Sequence, residues 1–497
     1  MEHIMKARPM TEDLKFWIKR IEKMAADHGL DFFPTVFEMV TYDQMNMMAA
    51  YQGFPVRYRH WRWGMDYERL SKSYEYGLQK IYEMVINTNP SYAYLLEGNQ
   101  VVDQKLVIAH VFGHVDFFKN NYWFSHTDRK MLDKMASNGA KIARIAERHG
   151  VDKVEDFIDV CLSIDNLIDT HSPYIQRRRT APDEEDLGPQ PMKLPARGYM
   201  ERYINPEEEL EKERKQLQDD WERSKAKLPA EPERDAMLFL LEHAPLKRWQ
   251  KQILSIVRDE AYYFAPQMMT KIMNEGWASY WHAKMMTEEI CTDAEIIDFC
   301  CSHSATMAMS PTSLNPYKIG IELFRDIEDR WNKGRFGLEY ERCDNMVERE
   351  NWDKQLGLGR QKIFEVRKVY NDVMFIDEFM TPEFAERQKI FSYSYNRRND
   401  NWEIKTREFS ELKAQLLRQL TNFGQPVIYV EDANYKNRGE LMLWHKHDGQ
   451  DLKADYAKET LRNLNVLWNR PVHIRTDVEG KPLIWSHDGT NFEECAG

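Results

Sequence analysis

The chain has 497 residues, 42% hydrophobic and 12% aromatic, which is enough apolar surface for more than one core and unlike a disordered chain. Lys and Arg total 69 against 81 Asp and Glu, a net charge of −12; this argues against nucleic acid as a partner, because phosphate neutralisation needs a positive surface. No stretch reaches the roughly 20 apolar residues of a membrane span. Residues 1–8 (MEHIMKAR) lack the apolar run of a signal peptide, and six scattered cysteines without a C-x-x-C pair read as reduced thiols, so a cytoplasmic protein is expected.

Residues 11–28 read as an amphipathic helix, with Thr11 as N-cap, Leu14, Trp17, Ile18, Ile21 and Met24 at helical spacing, and Gly29 as the stop. The Arg- and aromatic-rich run 54–67 is read as a packed, partly exposed wall rather than a base-stacking platform. Residues 91–97 (SYAYLLE) predict a short edge strand. Eight of the 20 prolines lie between Pro173 and Pro232, alongside the charge runs RRR (177–179), DEED (183–186) and EEELEKERK (207–215). They predict a solvated insertion at about 177–235, carrying one exposed helix near 206–227 and interrupting a helical core over 1–370. After that core, short β-rich runs at 427–430, 441–445, 472–476 and 482–486 alternate with helical segments at 406–421 and 455–468. They predict a small C-terminal α+β domain over 371–497.

Chemistry concentrates in four places. In QKLVIAHVFGHVDFFKNN (104–121), Val107, His110, Val111, His114 and Phe118 share one helix face. An H-x-x-x-H pair on a helix suits two imidazoles on one Zn²⁺; the plainer alternative is two core histidines bonded to carbonyls or water. In MNEGWASYWH (273–282), Glu275 and His282 lie two turns apart on one face, and a carboxylate on so apolar a helix calls for a partner. VRDEAYYF (257–264) offers Asp259 and Glu260, alternatively a surface charge cluster. His303 sits in a polar Ser/Thr-rich stretch read as a loop that could line a site.

Two His followed by a downstream Glu is the ligand set of the helical gluzincin metalloproteases. Those enzymes carry H-E-x-x-H, with the Glu as base. Here that position is Val111, and the gap to the third ligand is 275 − 114 = 161 residues, part of it the charged insertion. The expectation is therefore a mainly α, gluzincin-like metal-binding domain holding zinc on His110, His114 and Glu275. His282 would be a fourth ligand or proton donor, and Glu260 a substitute base for metal-assisted amide hydrolysis.

The segments AHVFGHVDFFKNN, MNEGWASYWH, INTNPSYAYLLEGN (86–99) and DNLIDTHSPY (165–174) resemble the bacterial stage V sporulation protein R (SpoVR) family. The resemblance implies a cytoplasmic protein tied to spore cortex formation or stationary-phase envelope remodelling. The accompanying expectations are protein partners and a peptide or peptidoglycan-related substrate. Two other readings compete. One is a catalytically inert regulatory scaffold with a structural metal, favoured by the missing base. The other is an iron site, since two His and one carboxylate also suit Fe(II).

Overall fold

A computed structural model describes residues 9–75, 83–175, 191–197, 200–225, 227–310 and 314–497. Of the solvated insertion expected at about 177–235, residues 177–190, 198–199 and 226 lie outside the described residues. The chain divides into two compact units. One comprises Met1–Val151 and Tyr263–Gly424, the other Asp152–Tyr262 and Gln425–Gly497.

The first unit is mainly helical. Its N-terminal helix, Glu12–Asp27, starts where Thr11 accepts from the Leu14 amide and buries Leu14, Ile21, Met24 and Ala25, as the periodicity predicts. A small sheet of β1 (Thr35–Val40), β2 (Glu83–Ile86) and β3 (Ser91–Leu96) has the order β1-β3-β2, with β3 parallel to β1 and antiparallel to β2. The 91–97 segment is thus the central strand and not an edge. Five of its six residues are buried, which is the environment of a strand paired on both sides. The Arg-aromatic run is packed in part, with Arg57 stacked 3.9 Å over the buried Trp63 ring while Trp61 remains exposed.

Two helices dominate the core of this unit. The His helix, Val101–Asn120, is buried from Val107 through Phe118, and the Glu helix, Lys271–Met285, carries Trp277 and Trp281 fully buried. Helices Pro316–Lys333, Gly359–Val369 and Asp372–Phe379 complete the cluster, together with Phe384, Leu412 and Leu416. Phe375, Ile376, Phe379, Met380 and Ile390 belong to the same cluster. A hairpin of β4 (Ser392–Asn396) and β5 (Asn401–Thr406) also falls here.

Among the described residues, the second unit contains five further strands, β6 (Ile428–Tyr435), β7 (Glu440–His445), β8 (Val472–Val478), β9 (Lys481–His487) and β10 (Phe492–Ala496). The strand order is β10-β9-β8-β7-β6. Only β7 and β8 run parallel, and helix Ala454–Trp468 makes the crossover between them. The four β-rich runs read from sequence correspond to β6–β9. Helices Ala236–His243 and Glu207–Lys225 also belong to this unit, the latter close to the exposed helix expected at 206–227.

Candidate metal centre

The His helix meets the Glu helix with Gly113 against Ala278, and the Glu helix meets helix Pro316–Lys333 with Gly276 against Gly320. A Cβ on Gly113 would stand 2.7 Å from Ala278 Cα, and one on Gly276 would stand 2.4 Å from the backbone of Gly320. The Glu helix is thereby clamped between the His helix and helix Pro316–Lys333. Its first turn is fixed separately, because the amides of Ile272 and Met273 donate to the Asp372 carboxylate at 2.8 and 2.9 Å.

This crossing brings His110, His114 and Glu275 together, with one ligand atom of each lying within 4.8 Å of the others. Glu275 Oε2 is 3.6 Å from His110 Nε2 and 3.5 Å from His114 Nε2. Those separations are longer than an ordinary hydrogen bond. They lie near the roughly 3.3 Å that tetrahedral geometry sets between donors bound at about 2.0–2.1 Å to one zinc. Both histidines are buried at 3–4% exposure, so an ion held here would be shielded from water.

The second nitrogen of each imidazole is held as ligating histidines require. His114 Nδ1 donates to Asn274 Oδ1 at 2.9 Å, which directs Nε2 toward Glu275. His110 Nδ1 lies 2.7 Å from His282 Nδ1, and His282 Nε2 lies 3.1 Å from His303 Nδ1. Two proton arrangements satisfy the row, and the one that metal ligation by His110 requires has His110 Nδ1–H donating to His282 and His282 Nε2–H donating to His303. His110 Nε2 then carries its lone pair on the side of Glu275.

The electrostatics suit neutral imidazoles beside a carboxylate. Burial, reinforced by His110, lowers the His114 pKa to about 4. Burial and the other histidines hold His282 well below its usual value. For Glu275 burial pushes upward, but His110 and His114 more than offset it and the carboxyl titrates below its ordinary range.

The structure joins His110, His114 and Glu275. It places His282 behind His110 as its hydrogen-bond partner, and His303 in helix Ile296–Thr306 rather than in a loop. Glu260 is buried on helix Arg248–Met269, in the second compact unit, and is not one of the three converging residues. Sequence reasoning missed Asn274, although it directly precedes Glu275. It also missed Asp116, two residues past His114. Asp116 is fully buried and accepts from Arg367 Nη1 at 2.9 Å, Trp277 Nε1 at 2.8 Å and the Asp31 amide at 2.7 Å.

The family described as "SpoVR like protein" matches residues 9–425, and "SpoVR-like C-terminal domain" matches residues 426–479. "Uncharacterized protein YcgB" from Escherichia coli (strain K12) is 29% identical over 495 residues, covering 94% of this chain and 92% of that protein. No solved structure matches the chain. With both family regions matched in order over nearly the whole length, and with the histidine and glutamate segments that carried the resemblance meeting in one cluster, the chain belongs to the SpoVR family.

Proposed function

We propose that the chain is a zinc-dependent amide hydrolase acting on a peptide or peptidoglycan-related substrate in spore cortex or stationary-phase envelope remodelling. The observation that carries the reading is the convergence of His110, His114 and Glu275 at the helix crossing. Zinc in such a site acts as a Lewis acid on a carbonyl oxygen and makes water acidic near neutral pH. The chain's own contribution is to hold the donors. Asn274 and His282 fix the two imidazoles through their Nδ1 atoms. Asp372 holds the turn that presents Glu275, and the rings of Tyr317 and Phe118 stack on His110 and His114.

A second reading is favoured by one observation. Val111 is fully buried and accepts no proton, so the position that carries the base in H-E-x-x-H enzymes is inert. A metal at this site would then be structural and the protein a regulatory scaffold.

Metal analysis of the purified full chain separates the readings. About one equivalent of zinc is expected. His110→Ala, His114→Ala and Glu275→Gln should each lower the content about tenfold or more. Iron in place of zinc would redirect the chemistry to the 2-His-1-carboxylate class. A chain that neither carries metal nor takes up added zinc would end the proposal. Glu260→Gln tests the expected base. Loss of amide hydrolysis on a muropeptide mixture with zinc retained would assign that role, and unchanged hydrolysis would remove it.

A further inference from the structure

The second unit contains another cluster of reactive side chains, far from the metal ligands in sequence. His473 on β8 and Ser486 on β9 stand directly opposite each other in the antiparallel register. Met442 on β7 is the partner of His473 in the parallel register, so Glu440, two residues earlier, points to the same face. His473 Nδ1 lies 2.7 Å from Ser486 Oγ, and His473 Nε2 lies 3.0 Å from Glu440 Oε2. Glu440 and His473 are buried, while Ser486 is half-buried.

We infer that Glu440, His473 and Ser486 form a second site, in which Ser486 is a nucleophile toward carboxylic esters.

The tautomer logic requires it to run in one direction. The Glu440 carboxylate can only accept, so His473 Nε2 carries the proton and donates. His473 Nδ1 is then left with its lone pair and accepts from the Ser486 hydroxyl. This is the carboxylate–imidazole–hydroxyl order of nucleophilic serine sites, with the ring turned end for end relative to the serine-protease arrangement. Burial holds the His473 pKa below its usual value, with Glu440 opposing, which keeps the ring neutral and ready as a base. The Tyr435 ring, 5.1 Å from His473, covers the imidazole.

The neighbouring surface suits an acyl substrate. Leu441, Leu443, Ile474 and Trp485 are buried on one face of the sheet, and helix Ala454–Trp468 packs against β8 and β9. The other face carries Glu440, His473 and Ser486. It continues into the stacked pair Tyr429 and Trp444, 5.3 Å apart, and the exposed Arg475, which pairs in register with Trp444.

The reaction balances with water as the only co-reactant. Ser486 Oγ bonds to the ester carbonyl carbon while its proton passes to His473 Nδ1. The bond from that carbon to the alkoxy oxygen breaks, and the leaving alcohol takes the proton from His473. Water then cleaves the acyl-serine by the same proton route.

A fluorophosphonate probe on the full-length protein tests the site, with the labelled residue read by mass spectrometry. Labelling of Ser486 is expected, to be abolished in Ser486→Ala and slowed about 10²-fold or more in His473→Gln and in Glu440→Gln. Glu440→Gln keeps the side-chain shape, so it carries the test should His473→Gln fail to fold. His110→Ala should label at the full rate, because the site is independent of the metal centre. Two results would overturn the inference. One is an unlabelled Ser486 in the folded protein. The other is labelling that proceeds unchanged in Glu440→Gln and His473→Gln. Either would leave the three residues as a polar tie across β7, β8 and β9.

Discussion

Asp116 ties the His helix to the Glu helix through Trp277 without being one of the candidate ligands. Its carboxylate receives the Arg367 guanidinium, the Trp277 indole and the Asp31 amide with no exposure to solvent. Arg367 itself is 3% exposed. Removing one partner of such a pair leaves a buried charge without compensation, which costs about 3–5 kcal/mol, whereas replacing both with apolar groups of similar volume is often near neutral. Asp116→Ala should therefore cost about that much in the unfolding transition of its own unit, seen as a lower denaturant midpoint for that transition at unchanged slope. The pair Asp116→Leu with Arg367→Met should recover most of the loss. Equal destabilisation in the single and double variants would show that packing around Trp277, and not the ion pair, is what matters. Asp116 was not picked out from sequence because an acid two residues past a histidine looks the same whether it faces water or an arginine 251 residues away.

Between the helices the decisive residues are glycines. Gly276 sits beside Glu275, and its lack of a side chain lets the Glu helix meet Gly320 at backbone distance. A Cβ there must push the helices apart, and overpacking of this kind costs about 1–3 kcal/mol. Gly276→Ala is expected to lose that much stability. It should also lower zinc content, because the shift moves the neighbouring carboxylate. Gly98, whose added Cβ would meet nothing within 4 Å, is the control: Gly98→Ala should leave both unchanged. Full zinc content in Gly276→Ala would mean that the packing of the Glu helix on helix Pro316–Lys333 does not set the ligand geometry. The helices themselves were legible in the sequence. The 3.6-residue period over 11–28 and the shared face of His110 and His114 are local properties of each segment. So were the β-rich runs that became β6–β9. The crossing was not legible, since Gly113 and Gly276 read as weak helix formers until the partner backbone is in view. The flanking strands β1 and β2 escaped notice because their partner, β3, is distant in sequence from β1 and too short to advertise pairing.

At the scale of the whole chain, the three candidate ligands all fall in the unit formed by Met1–Val151 and Tyr263–Gly424, and none in the unit formed by Asp152–Tyr262 and Gln425–Gly497. The sequence showed a composition change near residue 177 and a β-rich pattern after 373. It could not show that the segment from 152 to 262 joins the C-terminal sheet, because that depends on contacts such as the Glu233–Val430 bridge, 430 − 233 = 197 residues apart. The division makes a calorimetric prediction. A chain with two cores of this size should unfold in more than one transition, so no single unfolding free energy describes it. A ligand that binds only the folded form stabilises by RT ln(1 + [L]/Kd), about 2.7 kcal/mol at a hundredfold excess over Kd. Zinc at the proposed His110–His114–Glu275 site would stabilise the unit that binds it. Added zinc should raise one transition by a few degrees and leave the other in place, and a chelator should reverse the shift. In Glu275→Gln neither transition should move. Were both to rise together in the native chain and in Glu275→Gln alike, the stabilising zinc would be bound elsewhere, and the crossing of the His and Glu helices would not be the metal centre.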